Sequence, residues 1–332
     1  MKVLVTGSAG FIGFHVCMKL LEDGYQVVGL DNINDYYDPK LKKARLDILL
    51  KHPKSENFSF IKEDISNSKK IKQIFDTQKF SYVIHLAAQA GVRYSINNPE
   101  AYVKSNLIGF MSILEACKAS KIKHLIFASS SSVYGMSEDQ PFKIDSETSR
   151  PVSMYAATKK SNEVLAYSYS SLYNMPITGL RFFTVYGPWG RPDMAYFKFT
   201  ESIFQNKSID IYNNGNMKRD FTYIDDVVDG LVKLINKPPK SSSDNNVDSV
   251  SYRILNIGNN KPENLNDFVT IIESECGKKA VRNILPMQLG DVTSTYADIE
   301  EIKKLTGFMP KTNLNAGIRE FVSWYKMYFK IQ

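Results

Sequence analysis

Through its first half the chain alternates short apolar, β-branched runs with longer segments whose apolar residues recur at helical spacing. That alternation predicts an α/β fold built on a doubly wound parallel sheet. Lys2–Val5 and Gln26–Leu30 read as strands, separated by a helix over Phe11–Asp23 that ends at Gly24. Further strands fit Phe58–Lys62, Tyr82–Leu86, His124–Ala128 and Ile177–Arg181. An insertion over Asn34–Asn57 carries a helix at Pro39–Lys51, and long helices are expected over Pro99–Ala119 and Met154–Tyr173. After Gly187-Pro188 the alternation breaks down, which places a domain change between residues 186 and 187, with chain crossings allowed. Lys237–Val250, rich in Pro, Ser, Asn and Asp, reads as an exposed flexible loop.

A length of 332 residues suits a nucleotide-binding domain plus a smaller α/β domain, and 43% apolar content suffices for a sizeable core. The formal charge of +7 comes from lysines scattered at helical spacings, with no basic block. That argues against a nucleic-acid partner while leaving a small anionic substrate compatible. Cys17, Cys117 and Cys276 are far apart and form no CxxC pair, so neither a disulfide framework nor a zinc site is expected. The four histidines show no ligand spacing, His85 reads as a core residue, and no metal is expected. Val3-Leu4-Val5 runs straight into a glycine loop rather than forming a secretory signal, and no apolar run approaches the roughly 20 residues of a membrane span. A soluble cytoplasmic protein is expected.

The loop between the first strand and the first helix reads Thr6-Gly7-Ser8-Ala9-Gly10-Phe11-Ile12-Gly13. In this GxxGxxG pattern Gly7 permits a tight turn, Gly10 lets backbone approach a pyrophosphate, and Gly13 lets helix and strand pack closely. The helix N-terminus then offers N–H groups to phosphate. Glycines also end strands, and it is the position after Lys2–Val5 that makes the pattern informative. Asp31-Asn32 follows the second strand, where a carboxylate binds ribose hydroxyls and favours NAD over NADP. Asp64-Ile65 after the third strand could flank the adenine.

Tyr155 and Lys159 form a YxxxK pair, one helical turn apart and on one face. A nearby ammonium stabilises a phenolate, which can take a proton from a sugar hydroxyl as hydride leaves the same carbon. Alone, the pair more often marks a solvated helix face. The run Ser129-Ser130-Ser131-Ser132, at a strand end where such sheets bind ligands, shifts that balance.

With these pieces the chain resembles the extended short-chain dehydrogenase/reductases, and within them the nucleotide-sugar epimerases. The likeness spans nearly the whole chain, including His85–Gln89, Ser129–Gly135, Arg181–Pro188 and Arg219-Asp220-Phe221. It is most specific to the UDP-glucuronate 4-epimerases, through Asp31–Pro39, Ala90-Gly91-Val92-Arg93-Tyr94-Ser95 and Gly190–Ala195. The resemblance implies a Rossmann-like NAD domain over residues 1–186 and a UDP-sugar domain over 187–332. It makes Tyr155 the base, has Lys159 orient it and hold the nicotinamide ribose, and puts Ser130 at the C4 hydroxyl. Its NAD site comprises Gly7, Gly10, Phe11, Ile12, Gly13, Asp31, Asn32, Asp64, Ile65, Leu86, Ala87, Ala88, Gln89, Asn106, Ser129, Tyr155, Lys159 and Phe182. Arg191 and Arg219 go to the UDP diphosphate, where a guanidinium forks two oxygens, and Arg93 joins the substrate set. Either Arg191 or Arg219 could instead form a surface ion pair, Arg219 with its neighbour Asp220. Tyr196–Phe199 is a candidate stretch for uracil.

The implied activity is inversion at C4 of UDP-glucuronic acid to UDP-galacturonic acid through a 4-keto sugar, serving surface-polysaccharide precursors. Related dehydratases carry an Asp-Glu pair, and decarboxylases a Glu, where this chain has Ser131 and Ser132. Without a carboxylate there, elimination lacks its acid and base. Ser131, Ser132 and Thr184 could donate hydrogen bonds to the C6 carboxylate, although the serine run could also be a polar loop lining the cofactor. A C4 epimerase of neutral UDP-hexoses shares every catalytic residue, and a non-catalytic NAD or nucleotide-sugar binding protein could share the fold. The resemblance also implies a homodimer pairing the helices Pro99–Ala119 and Met154–Tyr173.

Overall fold

Strands β1 (Lys2–Thr6), β2 (Gln26–Asp31), β3 (Phe58–Lys62), β4 (Tyr82–His85), β5 (His124–Ser130) and β6 (Ile177–Phe182) come largely from the apolar runs of the first half. Val3–Thr6, Val27–Asp31 and all of β4 are buried, the burial expected of strands covered on both faces. In the computed structural model, which describes residues 1–241, 250–288 and 291–331, they form one seven-stranded sheet. Its order is β10-β6-β5-β4-β1-β2-β3, where β10 is Tyr252–Ile257. β1 pairs in parallel with β2 (Val3 opposite Val27) and with β4 (Val5 opposite Ile84). The strand order therefore reverses at β1/β4, the place where such sheets bind nucleotides beyond the strand ends.

Helices α1 (Phe11–Glu22), α2 (Pro39–Leu50), α3 (Ser68–Gln78), α4 (Tyr94–Asn97), α5 (Pro99–Tyr102), α6 (Gly109–Ser120) and α7 (Met154–Tyr173) connect these strands. Their apolar faces close a core around Leu4, Leu30, Phe75, Val83, Phe110 and Phe127. Asp38 caps α2 and Ser153 caps α7, each accepting a first-turn N–H, as short polar residues do at helix starts.

Two compact units divide the chain. The first takes residues 1–135, 147–181 and 228–255, and the second takes 136–146, 182–227 and 256–332. The second holds two small sheets formed by β7 (Thr184–Tyr186), β8 (Ser208–Tyr212), β9 (Lys218–Tyr223), β11 (Pro262–Asn264) and β12 (Val281–Leu285), in orders β11-β9-β7 and β12-β8. It also holds α8 (Ala195–Phe204), α10 (Leu265–Cys276), α11 (Glu300–Thr306) and α12 (Leu314–Phe329), while α9 (Ile224–Val232) runs across the division. Its core is aromatic, with Phe221 stacked on Phe268 at 4.4 Å between centroids.

Two expectations need correction. The helix predicted over Pro99–Ala119 is interrupted by a turn of π-helix at Val103–Ile108. The wider turn buries Asn106, whose carbonyl accepts from Asn162 Nδ2 at 2.7 Å and whose side chain bonds elsewhere, so tertiary hydrogen bonds pull the helix open. Strand β5 also runs past Ala128 to Ser130, carrying two of the serines on the strand itself. Of the loop expected over 237–250, residues 242–249 lie outside the described residues.

Candidate active site

The glycine loop closes by backbone packing. Gly7 has φ +74°, and a Cβ there would lie 2.8 Å from the Ala87 nitrogen. A Cβ on Gly13 would lie 2.1 Å from the Gly7 oxygen, so the third glycine is a close-approach requirement. Gly10 opens α1 in extended backbone without a side-chain cap, leaving first-turn N–H groups for an outside acceptor. Beyond the Gly7 carbonyl group, nothing lies within 4 Å of a Cβ placed on Gly10. Phe11 is buried and Ile12 half-buried in the same turn.

Asp31 ends β2 as a buried carboxylate. Its Oδ2 accepts from Ala9 N at 3.1 Å and its Oδ1 from Ile33 N at 2.8 Å. Burial pushes its carboxyl above the usual range, a rise opposed by those N–H groups and by Lys42 and Arg45. Arg45, fully buried, donates to the Ala9 carbonyl at 2.9 Å and to the Tyr37 hydroxyl at 2.7 Å, tying the insertion helix α2 to the glycine loop. Asn32 donates to Asp64 at 3.1 Å, joining the ends of β2 and β3, and Ile65 is buried beside Gly109. The open face over Gly10, the uncapped N–H groups and the acidic group after β2 fit a dinucleotide.

After β4 the segment Leu86–Ala88 is half-buried and Gln89 buried. The Gln89 N–H donates to Asn106 Oδ1 at 2.8 Å, and Asn106 Nδ2 donates to the Gln89 carbonyl at 3.0 Å and to Thr158 at 3.1 Å. Asn106 thus braces this segment against α7. His85 lies 2.8 Å from the Thr6 hydroxyl, which also accepts the Ala87 N–H. Burial, followed by Lys159, lowers its imidazole to about 3, so it is a neutral core residue.

On α7, Tyr155 is half-buried and meets the edge of Tyr102 at 6.1 Å between centroids. Lys159 is buried, lies 6.0 Å from the Tyr155 ring centroid and donates to the Ala128 carbonyl at 2.8 Å. Burial lowers its ammonium to about 8. Ser130 Oγ donates to Ser132 Oγ at 3.1 Å and accepts the Ser132 N–H at 3.2 Å, while Ser131 and Ser132 stay half-buried. The Ser129 hydroxyl is committed to Glu163 at 2.6 Å. Arg93 is exposed at the start of α4.

In the second unit Phe182 is buried at the end of β6, and Thr184 opens β7, paired with Phe221. Arg191 forks the carboxylate of Asp193, with Nε to Oδ1 at 3.0 Å. Arg219 donates to Asp291 at 2.7 Å rather than to Asp220. Asp220 is instead a buried hub, accepting from the backbone of Asn259, Asn260 and Ala297, and burial pushes it up to about 6. Each of these arginines is thus paired with a carboxylate. In the Tyr196–Phe199 stretch the side chains of Tyr196, Phe197 and Phe199 are buried against Phe321 and Phe268 in the aromatic core.

Sequence reasoning missed Glu163, Arg181 and Arg45. Glu163 was readable, since it continues the Tyr155-Lys159 spacing by one more turn of the same helix face.

The sequence pattern of the NAD dependent epimerase/dehydratase family matches residues 3–258. The Staphylococcus aureus protein CapI is 49% identical over 337 residues, covering 99% of this chain and all of that protein. A probable UDP-glucuronate 4-epimerase of Rhizobium meliloti is 45% identical over 340 residues, covering 99% of this chain and 98% of that protein. The crystal structure of the Bacillus cereus UDP-glucuronic acid 4-epimerase, with UDP-glucuronic acid and NAD, superposes with a TM-score of 0.89 at 35% identity, covering 99% of this chain and 100% of that one. With a family match over most of its length and relatives of this identity, the chain belongs to the NAD-dependent epimerase/dehydratase family.

Proposed function

We propose that the protein inverts C4 of UDP-glucuronic acid, giving UDP-galacturonic acid through a 4-keto sugar, as a donor for surface polysaccharide. The observation that carries this reading is the contact between the YxxxK helix and a strand end that carries serines and no acid of its own, the adjacent Glu163 carboxylate being taken up by Ser129 and Arg181. Lys159 reaches Ala128, and the next four residues are Ser129 to Ser132. NAD, when bound, supplies a reversible hydride acceptor.

Tyr155, as phenolate, removes the C4 hydroxyl proton and later returns one, and the Lys159 ammonium stabilises its charged form. Ser130 hydrogen-bonds the same hydroxyl. Ser131, Ser132 and Thr184 donate to the C6 carboxylate, where an acidic residue would repel it. Gly10 and the first turn of α1 would hold the pyrophosphate and Asp31 the adenosine ribose, and Leu86–Gln89, braced by Asn106, would line the cofactor. Arg191 and Arg219 take the UDP diphosphate. Such an inversion would use no net NAD, and NADH should not accumulate during turnover.

Incubation with UDP-glucuronate and chromatographic separation of the sugar nucleotides tests the reading. UDP-galacturonate is the expected product. Turnover of UDP-glucose with none of UDP-glucuronate would transfer the assignment to neutral hexoses, and inertness toward both would leave a binding protein.

We also infer a homodimer joined through α6 and α7. Val164, Tyr167 and Leu172 are exposed apolar residues on α7, and Ile108 is exposed just before α6. Light scattering should give twice the chain mass, and Val164→Asp with Leu172→Asp should halve it. The buried free thiols of Cys17, Cys117 and Cys276 fit a reducing cytoplasm. Among the described residues no helix is long and apolar enough to cross a membrane.

A further inference from the structure

Glu163 lies one turn beyond Lys159 on α7, and its side chain and that of Arg181 on β6 are each only 4% exposed. Glu163 Oε1 accepts from Ser129 Oγ at 2.6 Å and from Arg181 Nε at 2.9 Å, and Oε2 accepts from Arg181 Nη2 at 3.0 Å. Arg181 Nη1 also donates to the Tyr134 hydroxyl at 2.9 Å, with the guanidinium 4.8 Å from that ring's centroid. The serine segment is therefore fixed at three points. Ala128 is held by Lys159, Ser129 by Glu163, and Tyr134 by Arg181. Ser130, Ser131 and Ser132, followed by Val133, are strung between the last two anchors.

We propose that the buried Glu163–Arg181 pair is a specificity-determining positioning pair: it sets the serine segment so that the oxidised sugar keeps its carboxylate. The inference rests on UDP-glucuronate being the substrate. A 4-keto uronic acid is a β-keto acid. When its C5–C6 bond stands along the carbonyl π system, that bond breaks, CO2 leaves, and the electron pair enters a C4–C5 enolate. C5 then takes a proton from water, giving a UDP-4-keto-pentose. Serine hydroxyls fixed on the carboxylate hold C5–C6 out of that alignment, and hydroxyls on a loosened segment do not. A buried ion pair is seldom kept for stability alone, since apolar residues of similar volume serve as well or better. Here the carboxylate sits on the helix that carries the base and takes the Ser129 hydroxyl, while its arginine partner on β6 reaches Tyr134 at the far end of the serine run.

The test compares wild type with the volume-conserving Glu163→Leu/Arg181→Met variant and with Tyr134→Phe, which removes one anchor. Released CO2 and the UDP-sugar products are measured on UDP-glucuronate. In the double variant kcat for epimerisation should fall about 10- to 100-fold, with KM changed less than about threefold, as expected when reacting groups are misplaced. The fraction of turnovers ending in CO2 and a UDP-4-keto-pentose, or the UDP-pentose formed when the hydride taken from C4 is returned to it, should rise about tenfold, and Tyr134→Phe should move both in the same direction by less. A folded double variant with wild-type partition overturns the proposal, as does a lower kcat with an unchanged CO2 fraction. Should the double variant not fold, an unchanged CO2 fraction in Tyr134→Phe overturns it. Wild-type protein inert toward UDP-glucuronate would instead remove the substrate reading.

Discussion

The Lys159 ammonium donates to the Ala128 carbonyl at 2.8 Å, which links the catalytic helix to the strand end that becomes the serine run. Burial holds this ammonium near 8, against 10.5 for a free lysine. Below pH 8 both folded and unfolded chains carry the proton and burial of the charge is a full cost. Between about 8 and 10.5 only the unfolded chain holds the proton, so this cost shrinks as pH rises. Lys159→Met should therefore stabilise the NAD-free protein at pH 7 by on the order of 1–3 kcal/mol, with the gain fading toward pH 10. Urea unfolding at the two pH values checks it, and the same variant should lose epimerase activity.

Tyr155→Phe removes the proton acceptor and leaves the half-buried ring in place. Its kcat should drop roughly 10²- to 10⁴-fold, the usual contribution of a general base. NAD retention, followed by absorbance of the released nucleotide after denaturation, should be unchanged. A variant with wild-type turnover would eliminate Tyr155 as base.

Ser131→Ala combined with Thr184→Val deletes two hydroxyls assigned to the substrate carboxylate. Loss of two hydrogen bonds to a charged group, about 1.5–3 kcal/mol each, should raise KM for UDP-glucuronate at least tenfold. CO2 release should rise. Unchanged KM and CO2 yield would make the serines a loop lining and nothing more.

Asp31 offers a carboxylate whose partners here are two backbone N–H groups. Asp31→Asn should weaken NAD binding about 10- to 100-fold through lost charge-assisted bonds, and NADP should be affected less. Isothermal titration with both nucleotides measures the ratio.

His124 faces Thr178 with Nε2 at 2.8 Å and the Ile235 carbonyl with Nδ1 at 3.2 Å. Nδ1 must carry hydrogen to meet a carbonyl, so Nε2 accepts from Thr178, and the ring is neutral. Burial lowers it to about 4, below the 6.5 of an unfolded histidine. The unfolded chain thus gains a proton first as pH falls below 6.5, and stability is lost from there down through pH 4. His124→Gln should flatten the decline of melting temperature across that window, and an unaltered slope would place acid sensitivity elsewhere.

Much of the first unit was readable because parallel strands buried on both faces are written as unbroken apolar runs, as in Val27–Leu30 and Val83–Ile84. The glycine loop, Asp31 and the Tyr155-Lys159 pair were readable because local backbone geometry demands their spacing. The break at Val103–Ile108 was not, because Asn106 opens the helix through partners at Gln89, Thr158 and Asn162, far along the chain. The pairing of Glu163 with Arg181 was hidden likewise: helix spacing puts Glu163 on the face of Tyr155 and Lys159, but only folding brings β6 and its arginine against α7. Strand β10 escaped notice because its run of Tyr252–Ile257 lies far past the point where the regular alternation ends.

That last strand has a practical corollary. The backbone of β6 is satisfied on its outer side by residues 251 and 257, through Ile177 N to Ser251 O at 2.9 Å and Phe183 N to Ile257 O at 3.1 Å. A gene shortened to the apparent dinucleotide half would expose this row of donors and acceptors as a sticky margin that invites self-association. Anyone wishing to graft that half onto another catalytic partner must carry the 252–257 ribbon along with it, spliced on by a linker or supplied in trans.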